Sequence, residues 1–170
     1  LSNSPGPRGR LGALLALAFT LLAGCAGMPE RLAVGTARSG IEERLGRPTA
    51  VHALADGTRL QYSRQPAGQQ VYNLDLDSQG RLVRLQQVME RPAFEQVLVN
   101  SWTQAEVLRQ FGQPAVVERV ARFDGPVWTY RFLEMGLPRQ AHVHLDPMGV
   151  VRQLMFTDEM SLHEPPDWLP

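Results

Sequence analysis

A single cysteine, no lysine and no apolar run long enough to cross a bilayer set the outer bounds of this 170-residue chain. One cysteine cannot close a disulfide within the chain, so no disulfide framework holds the fold. All 17 basic residues are arginine, which removes Schiff-base and lysine general-base chemistry. They balance 17 acidic residues and form no dense patch or stripe. A protein that binds phosphate backbones needs such a field, so no nucleic-acid partner is expected. Nucleophile and phosphate motifs are missing too. Ser39, Ser63, Ser78, Ser101 and Ser161 lie in no Gly-x-Ser-x-Gly elbow, and Gly35, Gly40 and Gly46 lack the spacing and the following Lys-Ser or Lys-Thr of a phosphate loop. Glu42-Glu43 and Asp158-Glu159 read as solvated charges and not as an acid and base pair. The expectation is a non-enzyme with no cofactor, no metal and no small-molecule substrate.

What is present begins at the N-terminus. Arg8 and Arg10 precede a 12-residue apolar run from Leu11 to Leu22, and Ala23-Gly24-Cys25 follows. A bilayer-spanning helix needs about 20 residues, so this is a removable signal in residues 1–24. Its end resembles the lipobox of bacterial lipoproteins, which makes Cys25 the lipidated first residue of the mature chain and uses up the one thiol. An ordinary secretory signal with a chance cysteine, or an uncleaved anchor, is the competing reading. Ala26, where an aspartate would mark inner-membrane retention, points by the same resemblance to the outer membrane of a Gram-negative bacterium, facing the periplasm. Residues 25–30 form a tether of about 20 Å when extended.

The mature chain is a repeat. Leu45-Gly46-Arg47-Pro48 returns 66 residues later as Phe111-Gly112-Gln113-Pro114. Asp56-Gly57 and Tyr62 return as Asp124-Gly125 and Tyr130, and Asp77-Ser78-Gln79-Gly80 returns as Asp146-Pro147-Met148-Gly149. Collinear landmarks of this kind mark a duplication, with units at residues 31–90 and 91–158 and a Pro-rich tail at 159–170. In the second unit Thr103 and Glu106 form a capping box, Val107, Leu108 and Phe111 line a helical face, and Gly112 and Pro114 stop it. In the first, Ser39 and Glu42 make the box and Ile41 and Leu45 the face. Arg31 to Val34 and Phe94 to Val99 could each supply a preceding helix. The period then changes to two: Leu60 and Tyr62, and Trp128, Tyr130 and Phe132, alternate with polar residues as in half-buried strands. Each Asp-Gly pair reads as a hairpin turn. Tyr72, Leu74 and Leu76, then Leu82 to Val88, complete one meander; Val143 with Leu145, then Val150 to Phe156, complete the other. The fold class is therefore α+β: two tandem repeats, each of one or two helices packed on a four-stranded antiparallel sheet, with the other face of each sheet open.

This succession of capped helix, Gly-x-Pro stop, Asp-Gly, aromatic-x-Tyr strand and Asp-x-x-Gly turn resembles the SmpA/OmlA (BamE-like) family of small outer-membrane lipoproteins. Phe111-Gly112-Gln113-Pro114 and Trp128-Thr129-Tyr130 carry the resemblance best; Leu60-Gln61-Tyr62 lacks the tryptophan. Two such units in tandem also resemble the β-lactamase inhibitor protein fold. The first resemblance implies a role in β-barrel assembly or envelope integrity, and the second implies a module that blocks a periplasmic enzyme. The family unit occurs once where this chain has two, so no partner-binding residue is carried over.

His142, His144 and Asp146 share one side of a strand. Zinc takes three or four such ligands, but the counterparts in the first unit, Asn73, Asp75 and Asp77, are plain polar residues, which favours an exposed sheet face. Asn73, Asp75, His142 and His144 are accordingly expected to meet a protein partner. Trp168, bracketed by Pro165-Pro166 and Pro170, is either a docked or partner-binding anchor or part of an unstructured tail. An inhibitor would need an inserting loop, for which Arg64 to Gln70 and Glu134 to Gln140 are the candidates. The partners expected are the outer membrane, through the lipid, and an outer-membrane assembly or other envelope protein.

Overall fold

The computed structural model describes residues 27–159; the signal, Cys25 and the tail with Trp168 lie outside the described residues. After a 3₁₀ turn at Pro29–Arg31 come α1 (Arg38–Leu45), β1 (Ala50–Leu54), β2 (Gly57–Ser63), β3 (Val71–Asp77) and β4 (Leu82–Gln87). The second unit holds α2 (Arg91–Phe94), α3 (Gln104–Phe111), β5 (Val116–Glu118), β6 (Val127–Glu134), β7 (Leu137–Leu145) and β8 (Val151–Asp158). Both sheets are four-stranded antiparallel meanders, β1-β2-β3-β4 and β5-β6-β7-β8. No described helix is long and apolar enough to cross a membrane.

The repeat landmarks are explained atom by atom. Gly46 and Gly112 end the two helices at φ +77° and +74°, a left-handed conformation that glycine adopts without a Cβ penalty. The paired tyrosines reach back to those glycines, Tyr62 Oη donating to the Gly46 carbonyl at 3.0 Å and Tyr130 Oη to that of Gly112 at 2.8 Å. Asp77 and Asp146 each hold the last turn by accepting two backbone N–H bonds, from Gln79 and Arg81 and from Met148 and Val150, all at 2.9 Å.

Three local expectations are corrected. The first helix begins at Arg38 with Ala37 as its cap, so Ser39 and Glu42 make no box; Glu42 instead pairs with Arg38 one turn back at 2.8 Å. Ala37 bridges Arg81 as Thr103 bridges Val150, so the cap position is Ala37 and its side chain has no acceptor to offer. In the second unit the box forms as expected, with the Glu106 carboxylate accepting the Thr103 N–H at 2.6 Å and its hydroxyl at 2.9 Å. That backbone bond holds the Glu106 carboxyl below its usual range. Thr103→Ala should cost about 1 kcal/mol, measured by chemical denaturation. Next, the preceding helices are shorter and earlier than expected: a 3₁₀ turn at Pro29–Arg31 and one turn of helix at Arg91–Phe94. Each starts where proline at the first or second helical position suits the helical φ.

The third correction concerns Asp-Gly. Leu54 pairs with Gly57, so the turn residues of the first hairpin are Ala55 and Asp56 and neither has positive φ. The glycines serve a different need. A Cβ on Gly57 would lie 1.9 Å from the Leu76 carbonyl oxygen, and one on Gly125 would lie 2.0 Å from that of Leu145.

Two cores result. The smaller joins Ile41, Leu60, Tyr62, Tyr72, Leu74, Leu76 and Leu82. The larger is aromatic, with Phe94, Phe111, Trp128, Tyr130 and Phe132, and it recruits Val71, Val88 and Met89 from the first half. Trp128, Tyr130 and Phe132 are thus core residues, and Leu108 packs at the margin. Burial, the leading cause, raises the phenol pKa of all three tyrosines, that of Tyr72 to about 12, where the Glu30 carboxylate that accepts its hydroxyl adds to the effect. The folded chain keeps protons that the unfolded chain releases above about pH 10. This contribution to stability is complete below pH 10 and is lost as pH rises towards 12. Ultraviolet titration should therefore show almost no tyrosinate at pH 10 and its cooperative appearance, with unfolding, at higher pH.

Candidate functional site

Asn73 and Asp75, on the helix-distal side of the first sheet, are expected to be open, and they are covered. Asn73 is 2% exposed and Gln61 1%, because the C-terminal end of α3 rests on them. Asn73 Nδ2 donates to the Gln110 carbonyl at 2.8 Å, and Gln61 Nε2 donates to Asn73 Oδ1 at 3.0 Å and to the carbonyls of Leu108 and Arg109 at 3.3 Å. Arg59 adds its guanidinium, reaching the Arg109 carbonyl at 3.3 Å and Gln110 Oε1 at 3.1 Å. Asp75 holds that arginine with two bonds, at 2.6 and 2.9 Å.

The physical reason lies in the helix. The last carbonyls of a helix have no partner within it, and its C-terminal end carries partial negative charge. Amide donors and a cation on the first sheet satisfy both. Gly112 lets this happen, since a Cβ there would come within 2.9 Å of Gln61 Oε1. Asn73 and Asp75 are thus internal joints between the repeats and not partner contacts. Arg59, Gln61 and Gln110 belong to the same joint and were not singled out from sequence; the only signal was the run of long polar side chains on β2, where the second unit has Val127 and Thr129.

The corresponding face of the second sheet meets no helix end; Thr129 is buried in it, and its margins are exposed. One row runs straight across it: Val116 beside Thr129, Thr129 beside His142, His142 beside Met155. Val116 is 49% exposed and Met155 43%. His142 is held between two hydroxyls, Nδ1 at 2.9 Å from Thr129 Oγ1 and Nε2 at 2.8 Å from Thr157 Oγ1. His144 lies under the β5–β6 loop, its ring edge-on to Phe123 with centroids 4.9 Å apart, and is buried rather than exposed. Burial is the first cause lowering both imidazole pKa values; the neighbouring His142 lowers that of His144 further. Asp146 is taken up by its turn and by Arg152 Nε at 2.8 Å. The trio weighed for zinc is thus divided among three structural tasks, and no group of three potential metal ligands occurs among the described residues.

Of the two candidate inserting loops, Arg64 to Gln70 is tied to the second unit. Gln65 Nε2 donates to the Arg131 carbonyl at 2.6 Å, Arg131 Nη1 donates to the Pro66 carbonyl at 2.7 Å, and Gln69 Nε2 donates to Glu159 at 3.0 Å. The 64–70 loop is therefore pinned to β6 and Glu159, while the tip of the β6–β7 hairpin is exposed, with Met135 facing solvent.

No protein-family model matches the sequence, and no curated protein matches it. A solved structure similar to this chain is that of a DUF4309 family protein (YjgB) from Bacillus subtilis subsp. subtilis str. 168. The identity is 14%, over 86% of this chain and 97% of that one, with a TM-score of 0.32.

Proposed function

We propose that this protein is a non-enzymatic lipoprotein, anchored through Cys25 to the periplasmic side of the outer membrane, whose second sheet binds an envelope protein. The observation that carries the reading is the asymmetry between the sheets. The first sheet spends Gln61 and Asn73 on α3, whereas in the second the equivalent row buries Thr129 but leaves its two ends, Val116 and Met155, exposed with His142 between them partly so. Exposed Val116 and Met155 offer apolar side chains to a protein contact. The SmpA/OmlA resemblance supports an outer-membrane assembly or envelope-integrity partner. The basic start, the apolar run and Ala23-Gly24-Cys25 support the anchor.

Site-specific photocrosslinkers at Val116 and Met155 should trap an envelope protein in cells, and one at Asn73 should trap none. Cys25→Ser should release the protein from the outer-membrane fraction. Crosslinking from Asn73 but not from Met155 would reverse the assignment of faces. Nanomolar inhibition of a periplasmic hydrolase by the purified protein would favour the inhibitor reading instead.

A further inference from the structure

The β6–β7 hairpin breaks a local rule. Glu134 pairs with Leu137, so Met135 and Gly136 form a two-residue turn, with φ +50° and +82°. Such a turn favours asparagine followed by glycine, because both positions lie in the left-handed region, where a Cβ is costly. Methionine gains nothing there from packing: Met135 is 95% exposed, with Leu137 at 65% and Leu133 at 44% beside it. Three apolar side chains at a strained, solvent-facing tip indicate a contact made outside the chain.

Position identifies what that contact is. Gly27, two residues and about 7 Å of chain beyond Cys25, lies beside Arg64, whose Nη2 is 3.5 Å from the Gly27 carbonyl. The next residues, Gln65 and Pro66, bond to Arg131 on β6. Four residues separate Arg131 from Met135, about 13 Å of strand. The tip therefore projects from the end of the molecule at which the chain leaves for Cys25.

We propose that Leu133, Met135 and Leu137 form an apolar finger that enters the bilayer surface next to the lipidated N-terminus, orienting the module on the membrane. This rests on the anchor reading above. Glu134, within the finger, would be held neutralised at headgroup depth by charges behind it: it pairs with Arg91 and with Arg139, which also pairs with Asp158. One lipid anchor leaves orientation free; a second, shallow attachment removes that freedom and strengthens binding.

The test uses the full mature protein, purified with its lipid and reconstituted into phosphatidylcholine vesicles with or without brominated acyl chains. Met135→Cys and Leu137→Cys each carry an environment-sensitive thiol fluorophore. Met148→Cys, 88% exposed and about 30 Å away at the far end of β7, is the control. Brominated lipid should quench the probes at 135 and 137 at least two-fold and leave that at 148 unchanged. Met135→Asn, which suits the turn, should raise the melting temperature while reducing the quenching of the Leu137→Cys probe. Equal behaviour at 135, 137 and 148 overturns the finger. Intact mass separates the two readings: a lipidated chain with unquenched probes sinks the finger alone, whereas an unmodified Cys25 sinks the anchor and the finger with it.

Discussion

Truncating Phe111 to alanine should lower the free energy of unfolding by about 3–5 kcal/mol, the range for removing a fully buried phenylalanine. Phe111 has no exposed surface. Its ring stacks on Phe94 with centroids 4.4 Å apart and lies 5.8 Å from that of Tyr130 and 6.4 Å from that of Trp102. These aromatic neighbours are rigid and sit on separate elements, so the hole cannot collapse, and aromatic pairing is lost together with apolar burial. Phe111 also ends α3, whose last carbonyls dock on the first sheet, so the two halves should loosen together. Urea denaturation followed by tryptophan fluorescence measures the change; a loss below about 1 kcal/mol would mean that the helix face is wrongly assigned.

The second large effect is expected from one methyl group. In Gly125→Ala the added carbon would sit 2.0 Å from the Leu145 carbonyl oxygen, on a backbone at φ +142°. Neither atom can yield without moving a strand, because the Leu145 N–H is already bonded to the Pro126 carbonyl at 2.9 Å. Overpacking of this kind costs about 3 kcal/mol, and the local shift would also disturb the loop that carries Phe123 over His144. Gly136→Ala, with nothing within 4 Å of the added carbon, should cost only about 1 kcal/mol, through its φ. Thermal melts of the two variants distinguish a demand for space from a demand for conformation. Equal losses would refute the close-approach account of the Asp-Gly landmark.

The candidate surface was only half legible in the sequence. His142 and the alternation around it are visible as one strand face, and in the structure His142 stays partly exposed there between Thr129 and Met155. Asn73 and Asp75 sit at equivalent places in the first unit and were read in the same way, yet they bind the end of α3. Ser39 resembles a cap because Glu42 stands three residues on, whereas the helix starts one position after Ala37, whose methyl side chain leaves no capping signal in the sequence. Met135 carries no mark in the sequence, because its significance depends on φ, exposure and the neighbouring end of the chain.

The sequence by itself determined the duplicated order of elements, the helix stops at Gly46 and Gly112, the aromatic core strand and the aspartate turns. Each depends on contacts within a few residues, so period, proline and glycine leave a direct trace. Only the tertiary structure decided which polar face meets water and why Gly57 and Gly125 must lack a side chain. An amide on a strand has the same sequence pattern whether water or a helix carbonyl accepts its hydrogen bond. Likewise, the carbonyl that excludes a Cβ comes from a strand about 20 residues away, in a register that pairing alone establishes.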